Sequence, residues 1–134
     1  AMAGRKHLFF KPQRFVADAS QSDQWNRGKN IVFGPGHCVT CHSPRNPLGG
    51  VEAGKELSGN LAGGPGGKAP SIRKADLEAH QYTVDALVQT LTDSFTPGFD
   101  NLGGAMGEVI EDETSHWTEA DKRAVAVYLL SGVI

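Results

Sequence analysis

The chain has only two cysteines, and both fall in Cys38-Val39-Thr40-Cys41-His42. Two thiols separated by two residues, with a histidine directly after the second, form the signature for covalent attachment of haem. Each thiol can add across one haem vinyl group to give a thioether, and the two intervening residues let one backbone turn reach both vinyls. The histidine is then held under the iron as the proximal ligand. Other uses of a Cys-x-x-Cys pair fit less well. A redox disulfide of the thioredoxin kind needs a strand–helix–strand setting, whereas this motif follows a helical pattern and lies in a Gly/Pro-rich stretch. A structural zinc site wants four ligands, commonly including a second cysteine pair, and there is none.

Haem iron in electron-transfer proteins is commonly bound by Met and His. The chain has two methionines, Met2 and Met106. Met106 sits in Gly103-Gly104-Ala105-Met106-Gly107, a run that suits close approach of backbone to a flat ring. It is therefore the expected second axial ligand, with core filling as the plainer use of a methionine. His80 and His116 are competing ligands with no positive argument for either.

The elements that must position these residues are helices. The first is expected over Ser22 to Phe33, capped by Ser20 or Ser22, with Trp25, Gly28 and Val32 on one face and Gly34-Pro35-Gly36 as its stop. Residues 34–70 are dense in glycine and proline and read as a long irregular stretch, which in a compact domain is usually functional. A second helix is expected over 84–95, with Val84, Leu87, Val88, Leu91 and Phe95 forming one apolar stripe. A glycine-rich loop from Pro97 to Gly107 carries Met106. The last helix starts at Thr118, with Asp121 at the acidic position of a capping box, and runs to about Ser131. It places Val125, Tyr128 and Leu129 on one face, and Gly132 lies just past its end. No strand pattern and no internal repeat is visible. The expected fold is all-α: three main helices and long Gly/Pro-rich loops around one covalently bound haem.

The 134 residues fit one domain. Hydrophobic residues make up 39% of the chain, with 17 glycines, so core material is thin and a large apolar prosthetic group would supplement it. The formal net charge of −2 gives no basic excess to neutralise phosphates, which argues against a nucleic-acid partner. No run approaches the roughly 18 apolar residues of a membrane span. Residues 1–21 read as an extended connector, with Leu8-Phe9-Phe10, Pro12 and Phe15-Val16 lying against this domain or a neighbour, and residues 22–134 as the monohaem domain. No apolar leader region is visible after Ala1-Met2-Ala3-Gly4, so a leader or upstream domain is expected to have been removed.

The runs Phe9-Phe10-Lys11-Pro12, Trp25-Asn26-Arg27-Gly28 and Gly34-Pro35-Gly36-His37-Cys38-Val39-Thr40-Cys41-His42-Ser43-Pro44-Arg45-Asn46 resemble the cytochrome c subunits of bacterial membrane-associated alcohol and gluconate dehydrogenases. So do Gly104-Ala105-Met106-Gly107-Glu108-Val109-Ile110, Trp117-Thr118-Glu119-Ala120-Asp121 and Tyr128-Leu129. The resemblance spans roughly residues 8–131 and keeps order and spacing. It implies the class I cytochrome c fold, in which the N- and C-terminal helices cross closely, with Gly28 and Tyr128 meeting at the crossing. It also implies that Pro70, in Ala69-Pro70-Ser71-Ile72, offers its carbonyl to the second nitrogen of His42. Read from the residues alone, Pro70 is equally a loop stop. Arg45, three residues beyond His42, is placed either to pair with a haem propionate or to sit solvated at the surface. The segment Leu77-Glu78-Ala79-His80-Gln81-Tyr82 departs from the family, and the family subunits carry several haems where this chain has one motif.

The expected function is one-electron transfer through a haem c with His42/Met106 ligation, in an electron-transfer domain that is not itself an enzyme. The partners would be a dehydrogenase donor and a cytochrome or oxidase acceptor. The alternative is a peroxidase-like or gas-binding haem domain with a weak sixth ligand, and a third possibility is a haem that serves mainly as a folding core. Haem c attachment takes place outside the cytoplasm, so the expected compartment is the bacterial periplasm. There the protein would be free or tethered to the membrane through segments outside this chain.

Overall fold

The computed structural model describes residues 16–64 and 67–133. Most of the expected connector, including Leu8-Phe9-Phe10, Pro12 and Phe15, lies outside the described residues. Its end is tied to the first helix: the Asp18 N–H donates to Asn26 Oδ1 at 2.7 Å, and Asn26 Nδ2 donates to the Asp18 carbonyl at 2.9 Å.

Helix α1 (Asp23–Phe33) begins where extended Ser22 accepts a hydrogen bond from the Trp25 N–H at 3.0 Å. Its sequence buries Trp25, Gly28, Ile31 and Val32 on one side. A single turn, α2 (Cys38–Cys41), carries the two cysteines. A two-stranded antiparallel hairpin follows, β1 (Asn60–Gly64) and β2 (Gly67–Ala69), pairing Asn60 with Ala69. Then come α3 (Lys74–Ala79), α4 (Val84–Asp93), α5 (Gly104–Asp112), a 3₁₀ turn (Thr114–His116) and α6 (Glu119–Leu130).

The three expected helices are present as α1, α4 and α6. Ser22, Thr83 and Thr118 cap them, each hydroxyl accepting from a backbone N–H three residues on. Two expectations are corrected. The hairpin means that the chain is helix-rich with a small sheet, not strand-free. It escaped notice because its strands are largely glycine and alanine with no alternation of apolar residues. The second correction concerns two short helices in stretches read as loop, α2 and α5, while α3 falls in a stretch to which the sequence assigns no element. Phe95 also falls outside its helix, because Ser94 turns left-handed at φ +69° and ends α4. Among the described residues, no helix is long and apolar enough to cross a membrane.

The core joins α1, α4 and α6 through Trp25, Ile31, Val32, Leu87, Val88, Leu91, Val125, Ala126, Tyr128 and Leu129, with Leu57 and Leu77 reaching in from the connecting segments. Burying each large apolar side chain contributes about 1.5–3 kcal/mol. At the α1–α6 crossing, a Cβ on Gly28 would collide with the Ala124 carbonyl and come within 2.8 Å of Tyr128 Cβ. The helices therefore touch backbone to backbone. Trp25 packs edge-on against Tyr128 with ring centroids 5.0 Å apart, and its indole N–H donates to Ser131 Oγ at 3.0 Å. Asp121 does not close a capping box by reaching back to Thr118. Its carboxylate instead takes Arg27 in two contacts of 3.0 and 3.2 Å, a surface pair of small energetic weight.

Candidate haem site

The turn α2 is built by its flanks. Gly36 lies so near α1 that a Cβ there would meet the Ile31 carbonyl at 2.7 Å and the Trp117 ring at 3.1 Å. His37, left-handed at φ +55°, starts α2, and the His42 N–H closes it on the Cys38 carbonyl at 3.0 Å. Both cysteines are half-buried and carry free thiols. Burial pushes the Cys38 thiol up to about 12, with nearby Cys41 and Glu113 adding to the rise. Reactive redox cysteines are tuned the opposite way, towards the thiolate. The described sheet is also antiparallel, so no strand–helix–strand unit surrounds the pair. Among the described residues, no three His, Cys, Asp or Glu side chains converge as a metal site.

His42 is buried, and its Nδ1 lies 2.8 Å from the Pro70 carbonyl oxygen. A carbonyl can only accept, so Nδ1 carries the proton and Nε2 keeps the lone pair. Burial holds the imidazole below its ordinary pKa, and the bond to Pro70 partly opposes that shift. A neutral ring with its free lone pair at Nε2 is the form a metal ligand requires.

The arrangement depends on residues that the sequence did not single out. The His42 carbonyl accepts from the Gly59 N–H at 2.7 Å. Fully buried Ser43 accepts from the Leu57 N–H at 2.8 Å, and the Leu57 carbonyl accepts from the Ile72 N–H at 3.0 Å. Arg73 donates to the Glu56 and Gly54 carbonyls at 2.9 and 3.2 Å. These bonds strap the segment 54–59 between His42 and Pro70. A serine next to the motif histidine gives no signal of this role in sequence.

Arg45 is half-buried. Its guanidinium donates to the Gly49 carbonyl at 3.0 Å and to the Thr40 carbonyl, so it is not simply solvated. Two buried N–H donors have no partner among the described residues: Arg45 Nε and Asn60 Nδ2. Unpaired buried donors cost about 1–3 kcal/mol each, and a carboxylate would satisfy them. Asn60, 4% exposed, was not picked out from sequence.

Met106 lies in the first turn of α5, not in a loop. Gly103 is extended at the N-cap, and its carbonyl accepts from the Gly107 N–H at 3.1 Å. The Met106 side chain is half-buried and packs against the same core cluster as Cys38, Val39 and Ile72. Exposed His80 spends Nδ1 on its own helix, 2.9 Å from the Asp76 carbonyl, and His116 is exposed in the 3₁₀ turn. Two free thiols on one turn, a buried neutral imidazole and two orphaned donors suit an attached haem, whose propionates are carboxylates.

No family model matches the chain. Individual relatives do. It is 36% identical over 97% of its length to one component of the nicotinate dehydrogenase of Pseudomonas putida. It is 35% identical over 86% of its length to a diheme cytochrome c-type protein of Cereibacter sphaeroides. It is 38% identical over 85% of its length to the cytochrome c subunit of the quinone alcohol dehydrogenase of Gluconobacter oxydans. The chain spans only 11%, 38% and 25% of those three proteins. Over most of its own length the chain is thus similar to proteins named as cytochromes c or their subunits. It is similar to the cytochrome c subunits of bacterial alcohol, fructose and gluconate dehydrogenases.

Proposed function

We propose that the chain is a monohaem electron carrier of the class I cytochrome c fold, and that it passes single electrons from a dehydrogenase to a downstream cytochrome or oxidase. Cys38 and Cys41 would hold one haem c through thioethers, with His42 and Met106 as axial ligands. When bound, the haem supplies one-electron exchange between Fe(III) and Fe(II). The hydrogen bond from His42 Nδ1 to the Pro70 carbonyl carries the reading, because it fixes the tautomer and orientation that a ligand imidazole needs and raises its basicity.

The remaining roles follow from what each residue touches. Arg45 Nε and Asn60 Nδ2 would hold the propionates, which would remove the cost of two buried unpaired donors. Met106, on a helical turn packed against the core, would hold its sulfur to the iron with little freedom to move. A carrier also meets its partners through a small transient interface. The exposure of His80 and His116 leaves the peroxidase-like alternative without a buried acid–base histidine among the described residues. The domain occupies 22–134, with 1–21 as connector, and works in the bacterial periplasm, free or tethered through other segments.

The test is the intact mass of protein produced with haem-maturation machinery, read beside Cys38→Ala and Cys41→Ala. The expected result is one covalent haem in the wild type and none in the double variant. A wild-type chain that matures without covalent haem would overturn the reading.

A further inference from the structure

Gly59 stands between the two ends of the His42 environment. Its N–H donates to the His42 carbonyl at 2.7 Å. Its α-carbon faces the peptide unit that accepts the His42 ring proton. A Cβ built there would lie 2.7 Å from the Ser71 nitrogen, 3.0 Å from the Pro70 carbonyl carbon and 3.1 Å from the Ala69 oxygen. All three are backbone atoms, and no side-chain rotation can relieve them. The residue also has φ +96°, a left-handed region that favours glycine.

We infer that Gly59 is a positioning residue for the axial imidazole: its missing side chain lets the Pro70 carbonyl come within hydrogen-bond reach of His42 Nδ1. This rests on the reading of His42 as the iron's proximal ligand. Relieving a 2.7 Å contact to normal separation needs a displacement of about half an ångström or more. The His42–Pro70 bond, at 2.8 Å, would then lengthen towards the roughly 3.2 Å limit of a good N–H···O bond. A weaker bond at Nδ1 lowers the basicity of the ring. A less basic ring donates less to Fe(III), which disfavours the oxidised state and raises the reduction potential. Gly59 would thus tune the potential through the Pro70 carbonyl.

The hairpin supplies a matched control. Gly63 has φ +92°, nearly the same backbone, but a Cβ there meets nothing within 4 Å. Gly59→Ala and Gly63→Ala therefore share the conformational cost and differ in the contact with Pro70. The experiment compares both holoproteins with wild type by spectroelectrochemical titration and by NMR exchange of the His42 Nδ1 proton. The expected result is a positive shift of potential and faster proton exchange in Gly59→Ala, with both unchanged in Gly63→Ala. An unshifted potential in Gly59→Ala, or equal shifts in both variants, would overturn the inference. Should Gly59→Ala fail to fold, hydrogen exchange in wild-type holoprotein decides. The Gly59 amide and the His42 Nδ1 proton are expected to share one protection factor, and an amide exchanging about tenfold faster overturns the coupling. A wild-type protein lacking covalent haem, visible in its mass, would overturn the functional reading itself.

Discussion

Gly28 of α1 rests directly on the carbonyl of Ala124 in α6, with no room for a single methyl group between them. The two helices lie at opposite ends of the described chain, and their contact is backbone against backbone. Gly28→Ala forces them apart and disturbs the Trp25–Tyr128 packing beside it. The expected cost is about 3 kcal/mol, at the upper end of overpacking in a filled core. Chemical denaturation of the holoprotein measures it, and a loss below about 1 kcal/mol would contradict the close crossing.

Ser43→Ala removes the acceptor of the Leu57 N–H inside a fully buried site. Leaving that amide unpaired costs about 1–3 kcal/mol. The same substitution loosens the strap over His42. The check is a denaturation midpoint for Ser43→Ala beside Ser58→Ala, whose hydroxyl bonds the Lys55 carbonyl at the exposed surface. The first is expected to fall clearly and the second hardly at all.

Burial, with Glu56 nearby, pushes the Tyr128 phenol up to about 12, while an unfolded tyrosine titrates near 10. The folded state thus holds the proton more tightly. Its contribution is complete below about pH 10 and is lost as pH rises through about 12. The full difference corresponds to roughly 2.7 kcal/mol, of which about 2 falls between pH 10 and 12. In Tyr128→Phe the fall in stability between about pH 10 and 12 is expected to be smaller than in wild type by that amount. Parallel curves for the two proteins would show that the phenol is not desolvated in the fold.

The sequence made legible what side chains announce locally. The hydroxyls of Ser22 and Thr118 mark helix starts, and the stripe of Leu87, Val88 and Leu91 marks a buried face, whereas the Thr83 cap emerged only from the fold. The hairpin was hidden because glycine sets a backbone path without leaving a hydrophobic period, as at Gly63 and Gly67. Helix α5 was hidden for the same reason, since Gly103 and Gly104 read as loop although Ala105 to Ile110 can propagate a helix. The motif residues Cys38, Cys41 and His42 stood out through their spacing. The bond from His42 to Pro70 joins positions 28 residues apart, and only the resemblance to known subunits pointed to it. Ser43 matters through a buried hydrogen bond, Gly59 through absent volume and Asn60 through a buried donor without a partner among the described residues, none of which a single sequence displays.

His42 and Met106 are the proposed iron ligands. The most direct measurement of that ligation is the visible spectrum of the holoprotein, oxidised and dithionite-reduced, with Met106→Ala alongside. Sharp low-spin bands are expected on reduction, with a weak long-wavelength sulfur–iron band in the oxidised wild type. In Met106→Ala that band is lost, the potential falls and external ligands bind. A sulfur–iron band and potential that persist unchanged in Met106→Ala, or a high-spin wild-type protein, would contradict this ligation.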